Sequence, residues 1–362
     1  MNNRILIVAN NSDGLYGFRK ELISALGKNT EIFAAIPDNG YFQELTSLGC
    51  NIITANIDRR GINPLTDLKL FFKYIRILSS VKPDIVVTYT IKPNIYGGLA
   101  CRIKRIPYAV NITGLGTSFQ KKGALRTLVT LMYKTTLKKA KTVFFENAGN
   151  MQTLLDEKIV RAEQCCLLNG AGVNLDFFEP APYPADSSPA RFIFIGRVMR
   201  EKGIDELFAA MDRLHSENIP CTLDVLGYYE ENYADAIEQY TADGWLHYHG
   251  YQKDVRPFIE NAHCFVLPSW HEGMANTNLE SAAMARPVIT SNIHGCKEAV
   301  IDCESGFLCE PQNAESLYEA MKRFCETSRD ERRAMGARGR KHMEEVFDKK
   351  KVVQKTVREL GV

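Results

Sequence analysis

Short apolar runs alternate with helical patterns along the whole chain. Several of these runs, such as residues 85–87 and 192–195, are nearly continuous, as in strands that are buried on both faces. The stretches between them repeat apolar positions every three or four residues, which is typical of helices that cover a sheet. The pattern therefore predicts the α/β class with doubly wound parallel sheets. The predicted strands are 5–9, 31–36, 50–55, 84–89, 108–112, 142–146, 191–195, 222–226, 264–267 and 287–290.

Two helices have clear signals between the strands. Asn63 and Pro64 predict a helix start, because Asn is a good N-cap and Pro fits the first helical position. This helix is expected to continue to residues 79–80. A second helix is predicted over residues 123–140.

One stretch divides the chain into two parts. Residues 169–190 contain four Pro, Gly170, Gly172 and two Ser, and they show no helical period. A strand follows at once, so a second α/β unit begins there, and 362 residues suit two domains. The predicted domains are 1–170 and 171–348. Two such halves that face each other would leave a cleft for a small ligand.

Charge is distributed unevenly between these halves. The chain has 45 Lys and Arg against 43 Asp and Glu, a net charge of +2. Residues 1–170 carry a balance of +11 and residues 171–362 a balance of −9. This asymmetry indicates an anionic partner for the first half, and composition leaves nucleic acid, an anionic membrane surface and a phosphorylated substrate open.

The basic residues are concentrated in residues 102–141, which hold ten Lys and Arg, including Lys121 and Lys122, and no acid. Leu125, Leu128 and the apolar residues at 129 and 132 follow helical spacing within this segment. We expect that stripe to face the core rather than to insert into a membrane. The cations suit lipid headgroups or a merely solvated face, and both interpretations stay open.

The chain lacks signals for several other classes of protein. No segment has the roughly 18 apolar residues of a membrane span, and the apolar N-terminal stretch is too short for a signal peptide. Ten Cys without a Cys-x-x-Cys pair indicate a cytosolic protein with reduced thiols. His247 and His249 alternate on a strand-like segment, but no zinc spacing, Asp-x-Asp pair or Gly-x-Ser-x-Gly elbow occurs, so we expect no metal ion.

The first candidate binding segment is residues 196–203, which follow a predicted strand and precede a helix. In doubly wound sheets, ligands bind at the carboxyl ends of strands. Gly196 allows close approach of the backbone, and Arg197 and Lys202 would direct two cations and a helix N-terminus at one anion such as a diphosphate. A solvated turn is the alternative.

The second segment, residues 268–280, also follows a predicted strand. If Glu272 lies in the loop and a helix begins near Asn276, then Gly273 and the following amides can hold an anion or sugar hydroxyls. Glu280, further along the helix, can accept two hydrogen bonds from vicinal hydroxyls such as those of a ribose.

Two loops in the first half are similar in kind. One follows the predicted strand 108–112 and contains Thr113, Gly114 and Gly116; the other contains Asn11, Asp13, Gly14 and Tyr16. Neither has the Gly-x-Gly-x-x-Gly spacing, which argues against a nicotinamide-dependent dehydrogenase. Ordinary strand-to-helix turns remain the alternative.

Taken in order, these motifs resemble the family 4 retaining glycosyltransferases with the GT-B fold. The resemblance spans essentially the full length and is carried by residues 169–174, 196–203, 248–252, 268–280, 285–289 and 295–298. It implies two Rossmann-like domains, with residues 349–362 crossing back to the first. Arg286 stands where the family usually has Gly, and Ala275 where many relatives have Pro, so both are candidates for tuning the choice of sugar.

The resemblance also implies roles for the residues in the second half. Arg197 and Lys202 would hold the diphosphate of a UDP-sugar in place of a metal ion, and Glu280 would hold the ribose. Glu272 would contact the donor sugar. The other donor-binding residues implied are Gly196, Gly250, Tyr251, Gly273, Met274, Ala275 and Asn276.

On the acceptor side, the resemblance implies that Asn11, Asp13, Gly14, Tyr16, Thr113, Gly114 and Gly116 face the acceptor. The subgroup resembles enzymes that add a hexose or N-acetylhexosamine to a polyprenyl-diphosphate-linked saccharide in bacterial capsule or O-antigen assembly. The expected partners are then a nucleotide sugar, a lipid-linked acceptor and an anionic membrane surface rather than nucleic acid. The expected location is the inner face of the bacterial cytoplasmic membrane.

Two alternatives share this architecture. A UDP-N-acetylglucosamine 2-epimerase would act on the donor without a lipid acceptor, and a non-catalytic partner of a transferase would bind the membrane only. The presence of Arg197, Lys202, Glu272 and Glu280 argues against a non-catalytic partner.

Overall fold

The computed structural model describes residues 3–58, 61, 63–116, 119, 123–185 and 189–362. Thr117, Lys121 and Lys122 of the predicted segments lie outside these residues, as do residues 186–188 of the predicted boundary. The chain divides into two compact units. Unit 1 comprises residues 1–171 and 350–362, and unit 2 comprises residues 172–349. The predicted boundaries differ from these by one residue each.

Unit 1 is built on a parallel sheet, in which the described strands lie in the order β3-β2-β1-β4-β5-β6-β7. The strands are β1 Asn3–Val8, β2 Thr30–Ile36, β3 Cys50–Thr54, β4 Ile85–Tyr89, β5 Tyr108–Ile112, β6 Thr142–Phe145 and β7 Cys165–Leu167. The helices of this unit are α1 Ser12–Leu26, α2 Phe42–Ser47, α3 Pro64–Val81, α4 Gly98–Lys104, α5 Ala124–Leu137 and α6 Ala148–Asp156, joined by most of the last helix, α13 Lys349–Leu360. A π-helical turn, Pro93–Gly97, precedes α4.

Side chains alternate between the two faces of this sheet. Leu6 and Val8 of β1 pack into the core beneath α3, α4 and α5. Ile5 and Ile7 pack into the opposite core, beneath α1 and α2. Because both faces are covered, strands such as β4 are nearly continuous apolar runs, as their sequence predicted.

The last helix completes the second of these cores. Leu360 of α13 is buried there, and the Lys355 ammonium donates to the Leu167 carbonyl oxygen at 2.8 Å. The Lys141 ammonium donates to the Leu360 carbonyl oxygen at 2.7 Å. Residues 350–362 therefore pack with unit 1, as the resemblance implied.

Unit 2 has a second parallel sheet, with its described strands in the order β10-β9-β8-β11-β12-β13. The strands are β8 Ala190–Ile195, β9 Cys221–Leu226, β10 Leu246–Gly250, β11 Cys264–Leu267, β12 Val288–Ser291 and β13 Gly306–Cys309. The helices are α7 Ile204–Ser216, α8 Ala234–Ala242, α9 Arg256–Asn261, α10 Asn276–Ala283, α11 Ala314–Glu326 and α12 Arg329–His342. The two sheets confirm the expected α/β fold with two Rossmann-like domains.

The local signals in the sequence agree with most of these elements. All ten predicted strands are present, and the Asn63 side chain caps α3 by accepting the Leu65 N–H at 3.0 Å. The helix predicted over 123–140 is α5, which is shorter by one residue at its start and three at its end. β7 and β13 were not predicted, and β10 was foreseen only as a strand-like segment around His247 and His249. Along the described parts of the chain, no helix is both long and apolar enough to cross a bilayer.

Candidate active site

The loop of residues 196–203 begins where β8 ends, beside the carboxyl ends of β9 and β10. The Gly196 N–H donates to the Leu226 carbonyl oxygen at 2.9 Å, and the Gly227 N–H donates to the Gly250 carbonyl oxygen at 2.8 Å. A Cβ on Gly227 would lie 1.8 Å from the Gly196 carbonyl oxygen, so the loops can pass this closely only with glycine there. The predicted donor-binding residues Gly196 and Gly250 thus lie on either side of the turn at the end of β9.

A second loop, residues 268–275, follows β11, the strand next to β8. The order of the sheet reverses between these strands, and open α/β sheets bind ligands outside the carboxyl ends at such a point. The loops touch, because the Trp270 N–H donates to the Glu201 carbonyl oxygen at 3.0 Å. Gly203 has φ +76°, and a Cβ there would lie 2.1 Å from the Pro268 carbonyl oxygen. The structure thus joins the two segments that the sequence singled out.

The two predicted cations are each paired with a carboxylate. The Lys202 ammonium contacts the Glu272 carboxylate, and both side chains are largely buried. An Arg197 guanidinium nitrogen lies 3.3 Å from Glu230, which follows β9. The sequence analysis did not find Glu230. An anion can bind both cations here only if it displaces these carboxylates from them.

The N-terminus of α10 lies at the end of the second loop. Asn276 is its first residue, but the Ala275 N–H donates to the Gly295 carbonyl oxygen at 2.7 Å. The expectation that the Ala275 amide is among those open to a ligand is therefore wrong. Met274 and Ala275 are buried, whereas Glu272, Gly273, Asn276 and Glu280 are partly exposed. Among the predicted donor-binding residues of this segment, those four are the ones from which side-chain or backbone atoms can reach a ligand.

The turn at Gly295 packs against the backbone of this loop. Gly295 has φ +92°, and a Cβ there would lie 2.8 Å from both the Glu272 and Gly273 carbonyl oxygens. The Glu298 carboxylate accepts the Gly295 N–H at 2.7 Å. The motif at residues 295–298 therefore positions the backbone of Glu272.

Four tyrosines surround the carboxyl ends of β9 and β10. Tyr229 stacks on Tyr248 with ring centroids 4.7 Å apart, and the Tyr248 hydroxyl donates to the Gly227 carbonyl oxygen at 2.8 Å. Tyr251, which is predicted to bind the sugar donor, is 58% exposed, and its ring centroid lies 6.5 Å from that of Tyr228. Tyr228 and Tyr229 were missed, although two aromatic residues directly after a strand were a visible signal. Exposed rings of this kind can stack on a nucleobase.

Trp270 connects the second loop to α7. Its indole N–H donates to the Glu206 carboxylate at 3.2 Å, and the Arg200 guanidinium lies 5.3 Å from its ring centroid. Burial raises the pKa of the Glu206 carboxyl group. No sequence motif indicated that Glu206 and Trp270 form a contact.

In unit 1, the predicted acceptor residues lie on two separate loops. Asn11 precedes α1, where its side-chain amide lies 3.3 Å from the Asp13 carboxylate, and a Cβ on Gly14 would lie 2.9 Å from that amide. Tyr16 stacks on Tyr41 with ring centroids 5.6 Å apart. The sequence analysis had placed these residues in a loop, but residues 12–16 form the first turn of α1.

The second of these loops follows β5. Thr113 is partly buried, Gly114 has φ +138°, and Gly116 has φ +67°. A Cβ on Gly116 would lie 2.8 Å from the Ile91 side chain. In the sheet, β4 separates β1 from β5, so the structure does not place the two loops on adjacent strands.

The sheet of unit 1 reverses its order between β1 and β4. No residue of the loop after β4 was among the predicted site residues. Thr90, directly after β4, has φ +73°, which is strained for a β-branched residue. Behind it, the Thr88 hydroxyl donates to Asn94 at 2.8 Å, and Asn94 donates to the Asn111 carbonyl oxygen at 2.8 Å. These three side chains are buried. Glycine and charge were the signals used. Thr90 and these three residues have neither, although Lys92 lies in the same loop and donates to Asp67.

Comparisons with known proteins agree with this geometry. The family model described as "Glycosyl transferases group 1" matches residues 177–342, and the model "Glycosyl transferase 4-like" matches residues 4–147. Together they account for most of both units. The chain belongs to the glycosyltransferases with the GT-B fold.

Curated relatives of this glycosyltransferase include enzymes with named reactions. The chain is 26% identical to the N,N'-diacetylbacillosaminyl-diphospho-undecaprenol alpha-1,3-N-acetylgalactosaminyltransferase of Campylobacter jejuni, with 89% of each chain covered. It is 28% identical to the UDP-Gal:alpha-D-GlcNAc-diphosphoundecaprenol alpha-1,3-galactosyltransferase of Escherichia coli, with 73% of this chain and 72% of that protein covered. Among solved structures, Anabaena Alr3699/HepE in complex with UDP-glucose superposes with a TM-score of 0.81 at 15% identity, covering 99% of both chains. That likeness shows the fold.

One departure of this glycosyltransferase from its family has a structural explanation. Arg286 is fully buried just before β12, at the amino end of the strand and so at the opposite end of the sheet from the charged loops. Burial lowers its pKa to about 10. The guanidinium donates to the carbonyl oxygens of Ala181, Pro182, Ile259, Glu260 and Met284 at 2.7–3.1 Å. Arg286 therefore ties residues 181–182 to α9 within unit 2, and this structural role gives no support to the hypothesis that it tunes the choice of sugar.

Within the described ranges, no three His, Cys, Asp or Glu side chains come close enough together to hold a metal ion. His249 instead contacts the largely buried Asp224 at 2.6 Å, while His247 lies 3.9 Å from it. The two histidines of the strand-like segment thus share one carboxylate.

Proposed function

We propose that this glycosyltransferase transfers a hexose or N-acetylhexosamine, such as GalNAc, Gal or GlcNAc, from a UDP-sugar to a polyprenyl-diphosphate-linked saccharide. The reaction retains the configuration of the anomeric carbon and belongs to bacterial surface glycan assembly. The observation that carries the proposal is the contact between the loops after β8 and β11, with Lys202 against Glu272, where the sheet reverses its order. The reactions for which the relatives in Campylobacter jejuni and Escherichia coli are named support these substrate classes.

The charges of these loops suit the departure of a nucleoside diphosphate. Cleavage of the glycosidic bond builds negative charge on the diphosphate and positive charge on the sugar. Arg197, Lys202 and the N-terminus of α10 would stabilise that negative charge. When the diphosphate takes Lys202, the Glu272 carboxylate is released and can accept hydrogen bonds from the sugar hydroxyls. Glu280, five residues into α10, would hold the ribose.

The same cations make the proposed transfer independent of a metal ion and of any other cofactor. We assign no covalent nucleophile to the reaction, and the incoming hydroxyl attacks from the face that the leaving group occupies. Transfer should therefore continue undiminished in excess EDTA. The product, examined by NMR, should have the same anomeric configuration as the donor.

On the acceptor side, the basic balance of unit 1 suits a diphosphate-linked lipid. Asn11, Asp13 and Tyr16 would contact the acceptor, as would the loop from Thr113 to Gly116. The acceptor is embedded in a membrane, so we propose that the enzyme acts as a peripheral protein at the inner face of the bacterial cytoplasmic membrane.

The decisive experiment screens a panel of UDP-sugars for protection against thermal unfolding. A donor that binds only the folded chain stabilises it by about 2.7 kcal/mol at 100 times its Kd. We expect one UDP-sugar, and not the matching GDP-sugar, to raise the melting temperature. That sugar should then be transferred to an undecaprenyl-diphosphate-linked saccharide.

Two outcomes of this screen would contradict the proposed function. If the stabilising UDP-sugar is converted into its 2-epimer in the absence of an acceptor, the proposed transfer is wrong and the protein is an epimerase. If no nucleotide sugar raises the melting temperature and none is consumed, the assignment of the donor site is wrong as well.

A further inference from the structure

Helices α3, α4 and α5 lie side by side on one face of the unit 1 sheet. Their inward side chains, including Leu70, Tyr74, Val129 and Tyr133, are buried in the core. Large apolar side chains also cover their outer surface. These are Leu65 at 71%, Leu68 at 51%, Phe72 at 54%, Ile103 at 59%, Leu125 at 49%, Leu128 at 54% and Leu131 at 62% exposure. We call this set of seven the outer apolar face.

This arrangement corrects the sequence analysis. The stripe through Leu125 and Leu128 was expected to face the core, but only Val129 of that stripe is fully buried. The sequence interpretation failed because α5 is apolar on both sides, so helical spacing alone could not tell its inner side from its outer side.

The outer apolar face is a concentrated feature of the molecule. Among the described residues, thirteen large apolar side chains are exposed, and seven of them lie on these three neighbouring helices. Of the remainder, three are tyrosines near the carboxyl ends of β9 and β10, and Phe18, Phe177 and Ile301 are scattered. Single exposed apolar residues are normal, whereas a cluster of this size marks an interaction surface.

Cations surround the outer apolar face. The helices α3, α4 and α5 contain seven Lys and Arg and one acid, Asp67. Asp67 is neutralised, since its carboxylate accepts from the Lys92 ammonium at 2.7 Å and the Tyr96 hydroxyl at 2.9 Å. The exposed cations on or next to these helices are Lys69, Arg76, Lys82, Lys104, Arg105, Lys134, Lys138 and Lys139.

We propose that this face docks flat on an anionic lipid bilayer, with its leucines and Phe72 among the acyl chains and its cations at the headgroup phosphates. The combination of an apolar face with flanking Lys and Arg is what an interfacial helix requires. A second copy of the chain suits this surface poorly, because a twofold contact would oppose two basic faces. A nucleic acid would satisfy the cations but leave the leucines in water. The docking surface deepens the proposed function, on which it rests, because it brings unit 1 to the plane of a lipid-linked acceptor.

Vesicle flotation of the full chain tests the docking surface. The wild type should float with vesicles of 70% phosphatidylcholine and 30% phosphatidylglycerol, and poorly with pure phosphatidylcholine. The double variant L128E/L131E should bind the anionic vesicles at least about tenfold more weakly. Neutralising the cations in K104Q/K138Q/K139Q should weaken binding about fivefold per cation. The matched control is F18E, on the opposite helix layer of the same unit, which should bind as the wild type does.

Transfer rates with two kinds of acceptor distinguish an error in the docking proposal from an error in the proposed function. With a short-chain, water-soluble acceptor, L128E/L131E should transfer sugar as the wild type does, and with an acceptor in vesicles its rate should fall at least about tenfold. If the wild type transfers no sugar to either acceptor, the proposed function is wrong, while flotation still reports on the surface. Unchanged flotation of the variants at an unchanged melting temperature would overturn the docking proposal. So would a wild-type dimer that L128E/L131E converts into monomers with unaltered vesicle binding.

Discussion

The two sheets follow one plan but present different chemistry where their strand order reverses. At the carboxyl ends of β8 and β11, unit 2 places charged pairs, of which Lys202 with Glu272 is the most buried. Near the carboxyl end of β4, unit 1 buries neutral side chains through Thr88 and Asn94. Its charged pair there, Arg19 with Glu146, is more deeply buried than Lys202 with Glu272 and packs on the ring of Tyr89. The loops, and not the sheets, therefore decide which unit can hold a diphosphate.

The largest effect is expected for Arg286, which supports the fold of unit 2 but lies at the opposite end of its sheet from the charged loops. Replacing Arg286 by Met removes a buried donor of five hydrogen bonds to carbonyl oxygens, and the free energy of unfolding should fall by at least about 3 kcal/mol. Denaturant unfolding measures this loss. The ranking of donor sugars should not change, and a new preference among UDP-sugars would contradict the structural role.

The next effect concerns the charged pair itself. Lys202→Ala and Glu272→Ala should each lower kcat by about 10²–10³, because each removes a group that acts on the developing charges. The control is Arg200→Ala in the same loop, since Arg200 contacts Asp205 and the ring of Trp270 instead. Its kcat should stay within about threefold of the wild type. Equal losses in all three variants would mean that any truncation in these loops disturbs the site, and the roles given to Lys202 and Glu272 would be wrong.

The close approach of the two loops can be tested through Gly203. Gly203→Ala should destabilise the protein by about 1–3 kcal/mol and weaken donor binding, because its Cβ meets Pro268. Gly244→Ala is the matched control, since Gly244 also has a positive φ, +84°, but open space around it. A larger loss of stability in Gly203→Ala than in Gly244→Ala isolates the contact between the loops. Equal losses would show that only backbone strain is involved.

The smallest effect is a pH dependence. Burial raises the pKa of Glu206, so the folded chain binds this proton more tightly than the unfolded chain does, and stability falls as the pH rises from the ordinary pKa through the raised one. Glu206→Gln should therefore raise the melting temperature slightly at pH 8, by less than about 2 °C, and leave it unchanged at pH 4.

Glu217 provides the control of opposite sign for that measurement. A hydrogen bond from Lys322 lowers the pKa of Glu217 to about 2. Glu217→Gln should lower the melting temperature at pH 8 and have less effect as the pH falls toward 2. If both variants shift in the same direction at pH 8, the pKa assignments are wrong.

Sequence reasoning succeeded where a single strand and its following loop contain the information. The strands are of this kind, and so is the position of the segments 196–203 and 268–280 directly after strands, because apolar runs, glycines and charges are local features. The roles given to the residues of these segments stay predictions. It failed where the answer depends on a partner distant in the chain. Glu230 lies 33 residues from Arg197, and the carbonyl partners of Arg286 come from three separate segments. No spacing rule contains these contacts.

Orientation was the second source of error. The sequence of α5 is apolar around more of its circumference than one core contact requires, and only the packing of Tyr133 and Val129 against the sheet shows which side is inside. The Ala275 amide is a similar case, since the Gly295 carbonyl oxygen that occupies it lies 20 residues further along the chain.

The division of the chain has a consequence for its biosynthesis. Unit 1 is interrupted, because the chain leaves it after Ala171 and returns to it only at Lys350. Val352 and Leu360 of α13 are part of the core of unit 1. At about 5–20 residues per second, a ribosome needs roughly 10–40 s to make the intervening segment. During that interval unit 1 exists with one of its cores open, while unit 2, which is continuous in sequence, can complete its own folding first.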